Sequence, residues 1–556
     1  MVKQIQWKLV KSFGCRAAAV RRVVTNSGGK TSGVDGEIWD TGEKRYGAIK
    51  ALGELTQNSK GYNPSPLKRI WIPKEGGGER PLGIPTMLDR ALQGVHLLAT
   101  DPVVEAQSDP HSYGFRKERS PHNGIAKIWD LLNKESSPRC ILEGDIKGCF
   151  DTINHDFLLQ ATPMCDLETL EKWLKAGIMK DGYPFPTTAG TPQEGIISPL
   201  LANVALNGLE GLTSLYPARM TERGKRFSTK IHCIRFADDF IFTAEKERLL
   251  EELLPRVEEF LEPRGLALHR GKSRKTNLSK GFDFLGFHIS KRPRNRGHRN
   301  EKGVGKEVLV IKPTVKNCRK LKEEVKLILK TTSNPLQLVR RINPVTKGWS
   351  NYFRIHTHST KTVREIGWWI WRRVWRWARR KHLTRNSKWI AQRYYGVRFS
   401  GSSKGRLWRF RVSPSSPPLF TMEVKRVERL YNLPLRRGFN PYLHPLPASA
   451  ALPYGGFAYG GRGSLSSSLP LLSGRKGEVF RRQGWICVVC GKPLMGEEGV
   501  ELHHIKGRKE GLPLSPHRVE NLETLHRLCH QQKTYGKVVS DERLELTDWV
   551  GGSLET

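Results

Sequence analysis

The stretch Ile231-His-Cys-Ile-Arg-Phe-Ala-Asp-Asp-Phe-Ile-Phe-Thr243 decides how this chain is read. One apolar run climbs to two adjacent aspartates, and a second apolar run leaves them. Runs of this kind have strand character, so the expected form is a tight hairpin with Asp238 and Asp239 at its tip. Adjacent carboxylates repel each other, and a fold tolerates them most easily when cations sit between them. An ordinary surface hairpin with an acidic turn satisfies the same pattern. The surrounding sequence has to separate the two.

Upstream, Cys140-Ile-Leu-Glu-Gly-Asp145 reads as a buried strand ending in a carboxylate, followed by the helix-like Asn154-His-Asp-Phe-Leu-Leu159. An acid at a strand end is often only a cap for the next helix. Gly190 to Pro199 reads as a loop leading into a helix on which Leu201, Val204, Ala205, Leu209 and Leu212 recur at helical spacing. After the hairpin, Leu250, Leu253, Leu254, Val257 and Leu261 mark a second apolar face, despite Pro255. Strand, helix, hairpin, helix is the skeleton of a ferredoxin-like α+β domain. That skeleton puts the end of the Asp145 strand beside the Asp238-Asp239 tip. Three carboxylates on neighbouring strands suit two Mg2+ ions about 3.5–4 Å apart, which activate a 3′-hydroxyl and stabilise charge on a transferred phosphorus.

Arg69-Ile-Trp-Ile-Pro-Lys74 and Arg80-Pro-Leu-Gly-Ile-Pro85 flank a glycine-rich turn and read as a hairpin with Lys74 and Arg80 near its bend. Cations on a pinned hairpin suit a triphosphate, although exposed hairpin cations are also common. Gly29-Lys30-Thr31 invites a phosphate-loop reading, but Val24 stands where that motif needs glycine and no buried strand precedes it. A glycine-rich turn is the better reading.

Composition sets the class of partner. Lys and Arg number 94 against 54 Asp and Glu, a formal net charge of +40 over 556 residues. Such an excess points to a polyanion, above all nucleic acid. Hydrophobic residues make up 37% of the chain, enough for folded cores, and the length implies three or four domains of ~150 residues. Of nine cysteines only Cys487 and Cys490 form a close pair, which fits a reducing compartment with one local metal site. The N-terminus lacks an apolar signal core and no apolar run reaches the ~18 residues that span a bilayer, so a soluble, intracellular protein without a membrane partner is expected.

Ile72-Pro-Lys, Arg80-Pro-Leu-Gly-Ile-Pro-Thr86 with Asp89-Arg90, Ser112-Tyr-Gly-Phe-Arg116, Asp145-Ile-Lys-Gly-Cys-Phe-Asp151, Gly190-Thr-Pro-Gln193, Ile197-Ser-Pro, Phe236-Ala-Asp-Asp239 and Gly281-Phe-Asp-Phe-Leu-Gly-Phe287 occur in this order. Together they resemble the ordered blocks of group II intron reverse transcriptase/maturases. The resemblance implies a right-hand polymerase, with fingers and a ferredoxin-like palm over residues 1–290 and a helical thumb, the maturase domain X, over 291–385. It makes Asp145, Asp238 and Asp239 the Mg2+-binding catalytic carboxylates. Lys74 and Arg80 would bind the incoming deoxynucleoside triphosphate, with Gln193 lining its pocket. Phe150 would be the steric gate against a ribose 2′-hydroxyl, and Lys272 resembles the basic residue of the following block. Members usually carry Tyr where Phe236 stands and Gly where Glu194 stands, and Glu194 adds a negative charge near the triphosphate site.

Residues 288–306 are basic and polar and read as a solvated excursion between strands. In Trp368-Trp-Ile-Trp-Arg-Arg-Val-Trp-Arg-Trp-Ala-Arg-Arg380, Trp371, Val374, Trp375 and Ala378 share a helical face expected in the core. Arg372, Arg373, Arg376 and Arg380 lie mainly on others and are candidates for intron RNA, through phosphate contacts and stacking. Residues 386–442 match the position of the family's DNA-binding region, and 443–475 read as a Pro/Gly/Ser-rich linker.

At the C-terminus, Cys487-Val-Val-Cys490, Glu501-Leu-His-His-Ile505, Asn521 and His526-Arg-Leu-Cys-His530 resemble an HNH endonuclease of the ββα-metal type over residues 476–556. The resemblance implies a structural Zn2+ on Cys487, Cys490, His526 and Cys529, with His526 standing where many members have cysteine. His504 would be the general base, His503 and His530 would hold a divalent ion, and Asn521 would orient the His504 loop. An alternative pairs His526 with His530 on the catalytic ion. The whole then reads as a multifunctional intron protein with three activities: RNA-directed DNA polymerase, maturase, and endonuclease nicking a DNA target for target-primed reverse transcription. Its partners would be intron RNA and target DNA, in a bacterial cytoplasm or an organelle. A splicing-only maturase with a vestigial polymerase site and an RNA-dependent RNA polymerase are the rival readings.

Overall fold

The computed structural model describes residues 1–73, 77–180, 183–192, 195–293 and 307–395, with short pieces at 409–413, 416–420, 422, 440–442, 479, 488–489, 500–504 and 522–526. α1 (Val2–Val10), α2 (Phe13–Thr25) and α3 (Gly42–Gln57) pack around α4 (Met87–Gln107), a helix buried on nearly every side. The Thr86 hydroxyl caps α4 by accepting from the Asp89 amide at 3.1 Å, and the Asp89 carboxylate accepts from the Tyr62 hydroxyl at 2.6 Å. Arg90 donates to the Gly28 and Thr31 carbonyls at 2.9 and 2.5 Å, tying down the short 3-10 turn Ser27–Lys30. Both halves of the Asp89-Arg90 block therefore organise structure, and Gly29-Lys30-Thr31 is a fastened turn.

β1 (Leu67–Pro73) and β2 (Glu79–Ile84) form the expected antiparallel hairpin, with Ile72 opposite Arg80. β3 (Cys140–Gly144) starts a second sheet, while β4 (Ile178–Lys180) and β5 (Tyr183–Phe185) complete the first in the order β2-β1-β4-β5. Around them run α5 (Pro121–Leu132), α6 (Cys149–Thr152), α7 (His155–Ala161), α8 (Leu167–Leu174) and α9 (Ser198–Leu206). α9 stops earlier than the leucine spacing predicts. Gly208 turns left-handed at φ 92°, and Leu209 is buried from a separate 3-10 turn, Leu209–Leu215.

After a short hairpin of β6 (Arg219–Glu222) and β7 (Lys225–Ser228) come β8 (His232–Phe236), β9 (Asp239–Ala244), α10 (Glu247–Leu261) and β10 (Arg274–Asn277). The central sheet has the order β10-β3-β9-β8 and is antiparallel throughout. Its residues alternate between two cores. Leu142, Cys233, Phe240 and Phe242 face the one that includes α4, α9 and α10, and Ile141, Ile234 and Ile241 face the other. On α10, Leu249 belongs to the fully buried stripe and Leu254 is only half-buried, a small rotation from the predicted face.

β11 (Phe282–Phe284), β12 (Phe287–Pro293) and β13 (Glu307–Pro313) form a third sheet. Here the excursion predicted from residue 288 is corrected: β12 continues to Pro293 and pairs along its whole length with β13. Lys291 is 1% exposed, and its ammonium donates to the Lys134 carbonyl and the Ser137 hydroxyl at 2.5 and 2.7 Å. A basic residue that finds acceptors inside looks, in sequence, like one that stays in water. The boundary expected between 290 and 291 falls inside this strand, and 294–306 lie outside the described residues.

α11 (Val315–Thr331), α12 (Pro335–Phe353), α13 (Thr357–Lys381) and α14 (Ser387–Tyr395) build a helical unit on the second core. Tyr394, Tyr395, Phe410, Leu419 and Met422 complete it, so its packing runs past residue 385. Near the C-terminus, β14 (Val500–His504) pairs antiparallel with β15 (Leu522–His526). Among the described residues no helix is long and apolar enough to cross a membrane.

Candidate active site at the central sheet

The β8–β9 hairpin closes on the pair Phe236 and Asp239, leaving Ala237 and Asp238 as a two-residue loop. Ala237 has φ 57°, a left-handed conformation that favours glycine. The surroundings hold it there. Arg235, 2% exposed, donates to the Ala237 carbonyl at 3.2 Å and to Asn203 Oδ1 at 3.1 Å, and Asn203 Nδ2 donates to the Gly114 carbonyl at 2.9 Å. Gly114 lies so close that a Cβ on it would stand 2.1 Å from the Ala237 nitrogen. A buried cation, an amide and a glycine thus fasten the acidic tip from below.

The end of β3 meets that tip. Gly144 is paired with Phe240, so Asp145 follows at the position beside Asp239. Its backbone is fixed by the His269 amide, 2.8 Å from the Asp145 carbonyl, and its Oδ2 lies 3.0 Å from the Lys272 ammonium. The Asp239 side chain reaches the surface, yet its carboxyl is pushed up to about 6, first by loss of water around it and then by the charges of Asp238 and Asp145, with Lys272 opposing. Lys272 meets part of the demand for positive charge that these acids make.

That demand has a consequence for stability. Because the folded value lies above the ordinary one, ionised Asp239 works against folding. The cost is fully present above about pH 6 and fades as pH falls toward 4. We expect Asp239→Asn to raise the melting temperature of the metal-free protein at pH 8 by about 2 °C, with the difference shrinking below pH 6. Thermal melts in chelator across that range check it; a variant less stable than wild type at pH 8 contradicts the repulsion.

Phe150, on α6, is half-buried, and its ring meets Phe115 edge-on at 6.0 Å. Thr191 donates to the Phe150 carbonyl at 2.7 Å, and Gly190, at φ 84°, leaves no room for a Cβ against the backbone of Phe150 and Asp151. The Gly190-Thr191 loop is therefore clamped to the Phe150 helix, next to the segment that carries Gln193. Lys74, Gln193 and Glu194 lie outside the described residues, and Arg80 is described only by its backbone position in β2.

On α13 the expectation for the tryptophans holds in part. Val374 and Ala378 are fully buried, whereas Trp371 and Trp375 are half-buried. They stack nearly parallel at 5.8 Å, with Trp368 continuing the ladder at 5.0 Å and 57% exposed. Arg372, Arg376 and Arg380 are exposed and Arg373 is half-buried. None of the four makes an ion pair among the described residues, and Arg372 and Arg373 lie over Trp368 and Trp369.

In the C-terminal hairpin His504 pairs with Leu522, His503 with Glu523, and His526 with Val500 at the opposite end. Cys487, Cys490, Asn521, Cys529 and His530 lie outside the described residues. Sequence reading missed Gly114, Asn203 and Arg235 as the support of the tip. The glycine inside Ser112-Tyr-Gly-Phe-Arg116 was the available signal, since close backbone approach is a common reason for one.

The chain matches known families along most of its length. Residues 1–52 match the N-terminal domain of reverse transcriptase, and 72–289 the reverse transcriptase (RNA-dependent DNA polymerase) family. Residues 318–395 match the maturase-specific domain of group II introns, and 487–536 the HNH endonuclease family. Protein YkfC of Escherichia coli (strain K12) is 32% identical over 305 residues, covering 49% of this chain and 79% of that protein. Group II intron-encoded protein LtrA of Lactococcus lactis subsp. cremoris is 35% identical over 200 residues, 34% of this chain and 32% of its own length. Maturase-like protein 1 of Euglena gracilis is 25% identical over 359 residues, 62% of this chain and 69% of that one. With polymerase, maturase and endonuclease domains in one polypeptide, the chain belongs to the group II intron-encoded reverse transcriptase/maturases that carry an HNH endonuclease domain.

Proposed function

We propose that this protein copies its intron RNA into DNA at a site built from Asp145, Asp238 and Asp239. The observation that carries the reading is the adjacency of Asp145 and Asp239 on paired strands, with the Asp239 carboxyl pushed up to about 6 by loss of water first and by its acidic neighbours second. In this reading the central sheet is a ferredoxin-like palm, the β1–β2 hairpin belongs to the fingers and α11–α14 form the thumb. An all-oxygen donor set suits Mg2+. Among the described residues no three or more His, Cys, Asp or Glu side chains are arranged to hold a metal ion as they stand, and Asp145 is paired with Lys272. The three carboxylates would hold two Mg2+ ions once Lys272 yields. Bound there, the ions supply charge stabilisation for phosphoryl transfer. Lys272 would then be available to the nucleotide's phosphates, sharing that role with Lys74, Arg80 and Gln193.

Phe150 would exclude a 2′-hydroxyl, and its edge contact with Phe115 supports a fixed ring. We expect Phe150→Ala to raise ribonucleotide use relative to deoxynucleotide by about a hundredfold in single-nucleotide extension. Unchanged discrimination removes the gate assignment, and robust ribonucleotide incorporation by the wild type favours an RNA-dependent RNA polymerase.

The HNH domain would nick target DNA to supply the primer. His504 would act as general base, with His503 and His530 on a divalent ion and Cys487, Cys490, His526 and Cys529 on Zn2+. The strand register favours separate duties for His504 and His526, four pairs apart, or about 13 Å along the ladder. In sequence, Asn521 precedes Leu522, the partner of His504. His504→Ala should abolish nicking of a target duplex, by about a thousandfold, with DNA affinity within twofold of wild type. Nicking at the wild-type rate removes the base assignment. Splicing assistance would come from the helical thumb holding the intron RNA, with Arg372, Arg373, Arg376 and Arg380 as contacts.

A further inference from the structure

We propose that the exposed part of one face of the first sheet, beyond the buried Leu67, is a stacking platform for unpaired RNA bases. Side chains alternate along a strand, and paired residues share a face. Arg69 is paired with Gly83, Lys180 with Tyr183, and Ile178 with both Leu67 and Phe185. Trp71, Arg69, Lys180, Tyr183 and Phe185 therefore project from one face. Ile72, opposite Arg80, projects from the other, so the platform lies behind the hairpin face assigned to the triphosphate.

The three aromatic residues are open to solvent: Trp71 is 47%, Tyr183 71% and Phe185 49% exposed. Large rings left in water on a small sheet are costly unless something covers them. The row between them is cationic. The Arg69 guanidinium lies 5.8 Å from the Trp71 ring, Lys180 is exposed, and neither has an ion pair among the described residues. The acidic position on this face, Glu79, stands opposite Pro73 at the tip of the free edge strand β2. Rings for bases and cations for phosphates, alternating on an open sheet, match an extended single strand better than an apolar protein surface. The chain's charge of +40 points to the same partner.

This goes beyond the polymerase reading, since it uses no catalytic residue. It is tested on the full-length protein with a fluorescein-labelled twelve-nucleotide oligo(U) in 0.3 M salt, where pure phosphate contacts are weakened. Tyr183→Ala/Phe185→Ala should weaken binding about tenfold or more, Tyr183→Phe should bind like wild type, and 4-thiouridine crosslinks should map to residues 69–71 and 183–185. Primer extension on a short template reports the catalytic site independently, and Asp238→Ala should bind the oligonucleotide like wild type. If the double variant does not fold, Lys180→Glu reads the same face and should weaken binding. Unchanged affinity with crosslinks elsewhere overturns the platform. Unchanged affinity with loss of a wild-type dimer in sedimentation also overturns it, in favour of a second copy of the chain as the covering partner.

Discussion

Asp238→Ala is expected to abolish templated primer extension, by about a thousandfold or more, while splicing assistance stays within twofold of wild type. The size follows from the role: a carboxylate that positions charge at a reacting phosphorus contributes several kcal/mol to the transition state. The separation follows from the geometry. Asp238 sits in a two-residue loop at the sheet's end, whereas Arg372, Arg373, Arg376 and Arg380 lie on α13, a helix packed on the second core. RNA held by phosphate and stacking contacts does not need the carboxylates of the central sheet. Extension and splicing assays on one preparation check this, with thermal melts to show that the variant is folded. Loss of both activities in a folded protein means that the acidic tip also holds the RNA.

The second large effect is expected at a residue that touches no substrate. Gly114→Ala brings a methyl to 2.1 Å from the Ala237 nitrogen, a distance at which backbone must move. The nearest atoms are backbone atoms of Ala237 and Phe236, where the chain bends into the left-handed turn just before Asp238. A shift of about 1 Å in catalytic groups costs on the order of a hundredfold in rate. We therefore expect kcat to fall about a hundredfold, with KM for the deoxynucleotide changed no more than threefold. Asn203→Ala should act in the same direction but less, because it removes a support rather than inserting an obstacle. Single-turnover extension separates the chemical step from binding. A Gly114→Ala enzyme with wild-type kcat means that the turn is not held by this contact.

Much of this arrangement was legible from residue order. The two apolar runs flanking Asp238-Asp239 and the one before Asp145 placed three neighbouring strands correctly, and the carboxylates followed from their ends. The fourth strand of the sheet, Arg274–Asn277, carries no apolar alternation and was not foreseen. It is held by pairing with β3 and by the Arg274–Glu143 ion pair rather than by burial. β12 was hidden for the opposite reason, since Lys291 is buried on acceptors that lie more than 150 residues away in sequence. The clamp under Ala237 was hidden because Gly114, Asn203 and Arg235 converge only in the fold. Half-burial of the α13 tryptophans likewise depends on Tyr395, which packs on Trp371 and Trp375 from a different helix.

The most direct test of the account is extension by the wild-type protein on a primed RNA template with Mg2+ and deoxynucleotides. Templated DNA synthesis that stops in chelator and in Asp238→Ala is the expected result. No extension by a folded protein that still assists splicing contradicts it, and would leave an RNA-binding maturase whose acidic hairpin is only a turn.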